Sequence, residues 1–198
     1  MNTALLLIDI QKDYFPGGRM EVEGSVEAGL CAKKLLSFFR QQQLPLVHVR
    51  HTNIRPGATF FVPGTEGTEI HENVKPLPDE LVVQKNYPNS FRNTALLEHL
   101  QNQSVKHVVI CGMMTHMCVD ATARAAFDHG LRCTVVSDAG ATIPLTFGDK
   151  TIPAEYVQGA FLAALKAVYA TVVSAQEFLY LRAPCGIQIE KASPLGRT

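Results

Sequence analysis

Tryptophan is missing from this chain of 198 residues, but the missing patterns say more. The five cysteines, Cys31, Cys111, Cys118, Cys133 and Cys185, contain no C-x-x-C pair. An odd count at irregular spacing argues against a disulfide framework and against a structural zinc site, and predicts reduced thiols. No G-x-G-x-x-G follows the first apolar run, which reads IDIQKDYFPGG, so a dinucleotide-binding turn is excluded there. No stretch approaches the roughly 20 apolar residues needed to span a bilayer. The opening MNTALLLIDIQKDY has no basic segment, and its apolar run breaks at Asp9, too early for a secretory signal. Neither sign of charge dominates, with 18 basic against 18 acidic residues and no basic stripe. That pattern predicts a cytoplasmic protein that binds neither nucleic acid nor membrane.

What is present is an alternation of short apolar runs and helical periods. Ala4–Ile8, Pro45–Arg50, Leu81–Gln84, Lys106–Cys111, Arg132–Ser137 and Ala170–Val173 read as strands. Ser25–Gln42, Asn93–Gln103, Cys118–His129, 154–169 and a last turn or two near Ser174–Leu179 read as helices. Residues 51–79, rich in proline and glycine, read as a long loop of the kind that is usually functional. The alternation predicts an α/β fold: a doubly wound, mainly parallel six-stranded sheet with helices on both faces. One domain is expected over 1–179, followed by an irregular tail over 180–198.

Three strands lead to residues that apolar packing would not select. The first ends at Asp9, the third at Lys85, and the loop after the fourth leads to Cys118 in GMMTHMCVDAT. Singly these read as a turn cap, a solvated charge and a small buried hydrophobe. Together they fall on one predicted sheet edge, the carboxyl edge where such folds place their sites. A thiol at a helix start beside an ammonium is biased toward the thiolate, and a nearby carboxylate can take its proton and pass it to a leaving amine. Backbone N–H groups in the turn before Cys118 can hold an oxyanion. The expected chemistry is acyl transfer from an amide-like carbonyl to sulfur, followed by hydrolysis.

These blocks resemble the isochorismatase-like cysteine hydrolases, the superfamily that includes nicotinamidases and N-carbamoylsarcosine amidohydrolase. The resemblance rests on LLLIDIQKDYF, VVQKNYPNSF, VVICGMMTHMCVDATARAA and VVSDAGAT, in that order across residues 3–179. It implies an Asp9, Lys85, Cys118 triad, a non-proline cis peptide at Met113–Met114, and an oxyanion hole from the N–H groups of Met114 and Cys118. It also implies a small-molecule substrate and a homo-oligomer, dimer or tetramer. Phe15, Tyr87, Phe91, Arg92 and His116 are the candidate substrate-binding residues; for Phe15 and Phe91 a core role is equally consistent.

The departures bear on metal. Nicotinamidases hold a metal through an Asp-x-His pair after the second strand; here His51 and Asn53 fall at those places, and Phe60 falls where a later histidine would stand. His48, His51 and His71 remain, with no carboxylate at ligand spacing in the sequence, so neither metal nor cofactor is expected. An intact triad favours C–N hydrolysis over the vinyl-ether hydrolysis of isochorismate, which needs no thiol. The alternatives are that vinyl-ether hydrolysis, for which Arg50, Arg55 and Arg92 are candidate carboxylate contacts, a metal-dependent nicotinamidase, or a catalytically silent binding module.

Overall fold

The structure, a computed structural model, describes residues 2–182. Its centre is a six-stranded sheet in the order β3-β2-β1-β4-β5-β8, and every neighbouring pair in it is parallel. The strands are β1 (Thr3–Ile8), β2 (Leu46–His51), β3 (Leu81–Lys85), β4 (His107–Met113), β5 (Arg132–Ala141) and β8 (Thr171–Val173). The helices are α1 (Ser25–Gln41), α2 (Leu96–Asn102), α3 (Asp120–Asp128), α4 (Ala154–Val168) and α5 (Ala175–Arg182).

The two strand runs without polar interruption, in β1 and β4, become the middle of the sheet and are buried along their whole length. Alternation then divides β1 between two cores. Leu5 and Leu7 pack with Ala28, Ala32, Leu35, Leu36 and Phe39 of α1 and with Phe178 of α5. Ala4, Leu6 and Ile8 pack with Leu96 and Leu100 of α2, Ala123 and Ala126 of α3, and Leu165 of α4. A strand has a side-chain period of two, so a continuous apolar run suits a sheet covered on both faces and no other position.

The order of strands reverses between β1 and β4, one leading out to β2 and β3 and the other to β5 and β8. At their carboxyl ends the two central strands approach closely. A Cβ on Gly112 would lie 1.9 Å from the carbonyl oxygen of Ile8, and Gly112 has φ +124°, so no other residue fits there. That crevice is where doubly wound sheets hold their ligands.

Several boundaries differ from the expected ones. The fifth strand continues through SDAGA to Ala141, because its outer half stays paired with β4 beyond an irregularity at Ile110/Gly112. A small antiparallel hairpin, β6 (Leu145–Phe147) and β7 (Lys150–Ile152), was not expected, since strands of three residues carry no readable period. The loop 51–79 holds two short 3-10 turns, Glu66–Thr68 and Glu72–Val74. The last helix continues to Arg182, so residues 180–182 are helical rather than irregular; the rest of the expected tail lies outside the described residues. Among the described residues no helix is long and apolar enough to cross a membrane.

Candidate active site

Asp9 follows β1 directly and takes φ +49°, a left-handed conformation that aspartate tolerates better than most residues. Its backbone N–H still bonds to the carbonyl of Val49, so the strand ends in register while the side chain turns over the sheet edge. Cys118 comes from the other side of the crevice. After β4 the Met113–Met114 peptide is cis, and Thr115–Val119 winds as one π-helical turn before α3. Cys118 therefore lies inside this wide turn and not at the first position of α3, as the sequence suggests.

Lys85 has the longest reach to make. It ends β3, the edge strand, opposite His51 of β2. With β2 between β3 and β1, it must span two inter-strand spacings, about 10 Å, to meet Asp9. Its four-carbon stem crosses His51 and carries the ammonium nitrogen to 2.7 Å from Asp9 Oδ2, 3.0 Å from His51 Nδ1 and 3.3 Å from Cys118 Sγ. Lys85 is 1% exposed, Asp9 0% and Cys118 5%, so the solvated-charge reading of Lys85 is excluded and the ion pair is dry.

The protonation state follows from the charges. Burial alone would lower the Lys85 pKa, but the Asp9 carboxylate, and then Cys118, raise it overall, so the side chain is an ammonium. Burial pushes the Cys118 thiol up, and Asp9 pushes it further; Lys85 opposes both without cancelling them. Burial and Asp9 thus outweigh the bias toward the thiolate that Lys85 supplies, and they favour the protonated sulfur. The physical reason is charge balance: Asp9⁻, Lys85⁺ and Cys118–SH sum to zero, and ionising the thiol to solvent would leave a net charge buried. Moving its proton to Asp9 keeps the sum at zero. Asp9 Oδ1 is fully buried and has no hydrogen-bond partner, so an acceptor is free for that transfer.

His51 is the unexpected member. One of its ring nitrogens, a carboxylate oxygen of Asp9 and the Cys118 sulfur all lie within 4.8 Å of one another, so a carboxylate does join this histidine, contrary to the sequence-based expectation. The centre of that group, however, is taken by Lys85 Nζ, which touches all three. A metal ion does not fit where an ammonium already stands. His48 is bound to Glu80 at 2.9 Å and His71 stacks on Phe15 at 3.6 Å, so neither joins His51.

The candidate pocket residues divide. Phe15 is 4% exposed, stacked on His71 and packed under Gly29, so it belongs to the apolar core. Phe91 is likewise buried, edge-on to His129. Tyr87 is half-buried beneath the Arg92 guanidinium, 3.8 Å from its ring centroid. His116 is half-buried, bonded to Thr142 and edge-on to Phe161. Sequence reasoning missed Tyr14 and Phe61. Tyr14 is buried, its ring lies 4.6 Å from that of Phe61, and its hydroxyl has no partner among the described residues. Burial, then the charges of Cys118 and Asp9, raise its pKa, which sets it beside the site. A tyrosine next to the Asp-x-Gln-x-Asp run was the one available signal.

Comparison with known proteins agrees with the geometry. The chain is 54% identical over 179 residues to the isochorismatase family protein YddQ of Bacillus subtilis, covering 90% of this chain and 99% of that one. It is 36% identical over 154 residues to streptothricin hydrolase of Streptomyces noursei, covering 76% of this chain and 60% of that one. A crystal structure from Oleispira antarctica, assigned to the isochorismatase hydrolases, superposes with a TM-score of 0.87 at 47% identity, over 90% of this chain and 96% of that one. The model of the isochorismatase domain matches residues 3–177, and with it the chain belongs to the isochorismatase family of hydrolases.

Proposed function

We propose that this hydrolase cleaves a C–N bond of a small molecule, an amide, ureide or carbamoyl compound, through a thioester on Cys118. The observation that carries this reading is the buried ammonium of Lys85 in contact with both Asp9 and Cys118. In the first step the Cys118 proton passes to Asp9 as sulfur bonds to the carbonyl carbon. The oxygen becomes an oxyanion held by the N–H groups of Met114 and Cys118. Collapse breaks the C–N bond while Asp9 gives its proton to the departing nitrogen. Water then attacks the thioester and Asp9 takes its proton; as the C–S bond breaks, Asp9 gives that proton to the departing sulfur, which returns the thiol and the carboxylate. Throughout, Lys85 keeps the negative charge on Asp9 or on sulfur compensated.

Vinyl-ether hydrolysis has no use for a buried thiol poised on a carboxylate, and a silent module has no use for a dry ion pair. No metal is required, because the protein itself supplies the nucleophile. The test is an ammonia-release screen over small amides, ureides and carbamoyl compounds, with and without chelator. Hydrolysis unaffected by chelation, and lost by a factor of about a thousand or more in Cys118→Ala, is expected. Turnover that survives Cys118→Ala, or that chelator abolishes and a transition metal restores, would refute the covalent route.

A further inference from the structure

His51 carries more than packing explains. An ammonium nitrogen has three hydrogens and no lone pair, so Lys85 can only donate. Its contact with His51 Nδ1 at 3.0 Å therefore requires that Nδ1 be the bare, accepting nitrogen. Asp9 Oδ2 at 2.7 Å and Cys118 Sγ at 3.3 Å take the other two hydrogens. A neutral imidazole that accepts at one nitrogen carries its hydrogen on the other. His51 is held neutral, its pKa lowered to about 4 by burial and then by the Lys85 charge.

The hydrogen on Nε2 has no acceptor among the described residues. No partner for Nε2 stands among the described residues, and unlike His48 Nδ1 it is not a nitrogen sealed from solvent. The Tyr14 hydroxyl is in the same position. Phe61 lies against both rings, 4.6 Å from Tyr14 and 5.9 Å from His51; His51 shares Lys85 with Cys118, and Tyr14 feels the charges of Cys118 and Asp9, so two unspent donors share one aromatic neighbour in this site.

We infer that His51 is fixed by Lys85 as its Nε2–H tautomer and donates that hydrogen to the substrate, which therefore carries an sp² oxygen, carbonyl or carboxylate, beside its scissile carbonyl. The inference deepens the C–N hydrolase reading, and it rests on that reading for the scissile bond alone. Recognition of an acceptor by this donor is selective, because a bound analogue lacking the oxygen would cover the donor and leave it unpaired.

Two measurements test it. In protein labelled with ¹⁵N-histidine, the signal lost in His51→Asn should show Nδ1 unprotonated and Nε2 protonated near neutral pH. A protonated Nδ1, or a cationic ring, would overturn the inference without any substrate. Binding is then read by calorimetry on Cys118→Ala protein with two probes, a monoamide of a short dicarboxylic acid and the alkyl amide of equal length. The first should bind about tenfold more tightly. His51→Asn, which keeps an acceptor near Nδ1 but removes the Nε2 donor, should erase that preference, and His51→Gln should restore part of it. Equal affinity for the two probes, or a preference that His51→Asn leaves intact, would overturn the recognition role. Selective binding with no hydrolysis of either probe by the unsubstituted protein would instead sink the C–N reading and leave this one standing.

Discussion

Two carboxylates in this molecule sit in networks with a histidine and a basic side chain, and they are finished differently. Glu80 accepts from Arg40 Nε and Nη2, from the backbone of Leu77 and from His48 Nε2, all between 2.7 and 2.9 Å. Those donors hold its pKa down to about 2 against the opposing effect of burial. Asp9 has Lys85 on Oδ2, and its Oδ1 has no hydrogen-bond partner among the described residues. His48 and His51 lie on the same strand, three residues apart. Glu80 ties α1 and β2 to the turn before β3, and its acceptor capacity is used up on the protein. Asp9 keeps a lone pair in reserve, and a reserved lone pair in a dry place costs stability unless a substrate or a proton in transit uses it.

The sharpest way to break the comparison is to remove Lys85. Lys85→Met should abolish hydrolysis and destabilise the fold by about 3–5 kcal/mol, because Asp9 is left as an uncompensated buried charge. Asp9→Asn in the same chain should recover much of that stability and none of the activity. Denaturant midpoints for the two variants check this, and a double variant no more stable than the single would show that the pair is not the source of the loss. Glu80→Gln should cost less, about 1–3 kcal/mol, and leave the hydrolysis rate within a few-fold, since only the structural network loses an acceptor and its charge. A large drop in rate at unchanged stability would erase the distinction between the two networks. The smallest effect is on pH dependence. His51 and His107 both titrate at about 4 when folded, against 6.5 when unfolded. Below 6.5 the unfolded chain takes up protons that the folded chain refuses, so their contribution is complete above 6.5 and is lost as pH falls toward 4. Partial exposure reduces its size. Stability measured from neutral pH downward should decline across that window, and His107→Phe should flatten the decline.

Legibility in the sequence followed how far each property depends on neighbours. Asp9, Lys85 and Cys118 were readable because each interrupts an apolar pattern at a strand end, and topology alone brings strand ends together. The parallel sheet was readable from the unbroken runs of β1 and β4. The role of His51 was not readable, because it depends on a lysine stem crossing from β3. Burial of Phe15 and Phe91 followed the ordinary preference of large apolar rings, and position in a loop gave no warning of it. The balance at the Cys118 thiol was only half readable, because a helix start and a nearby lysine are visible in sequence, whereas the dryness that outweighs them is a property of the packed site.

Lys85 is anchored in β3, one of the sheet's two edge strands, which among the described residues pairs on one side only. Edge strands open at lower free energy than central ones, and native-state hydrogen exchange resolves such openings from global unfolding. A brief fraying of β3 would withdraw the ammonium while β1 and β4 still hold Asp9 and Cys118 in place. Mild heat or low denaturant should therefore extinguish hydrolysis before the bulk of the helices melts, with amides of Leu81–Lys85 exchanging ahead of those in β1. The triad would then last only as long as an edge strand stays paired.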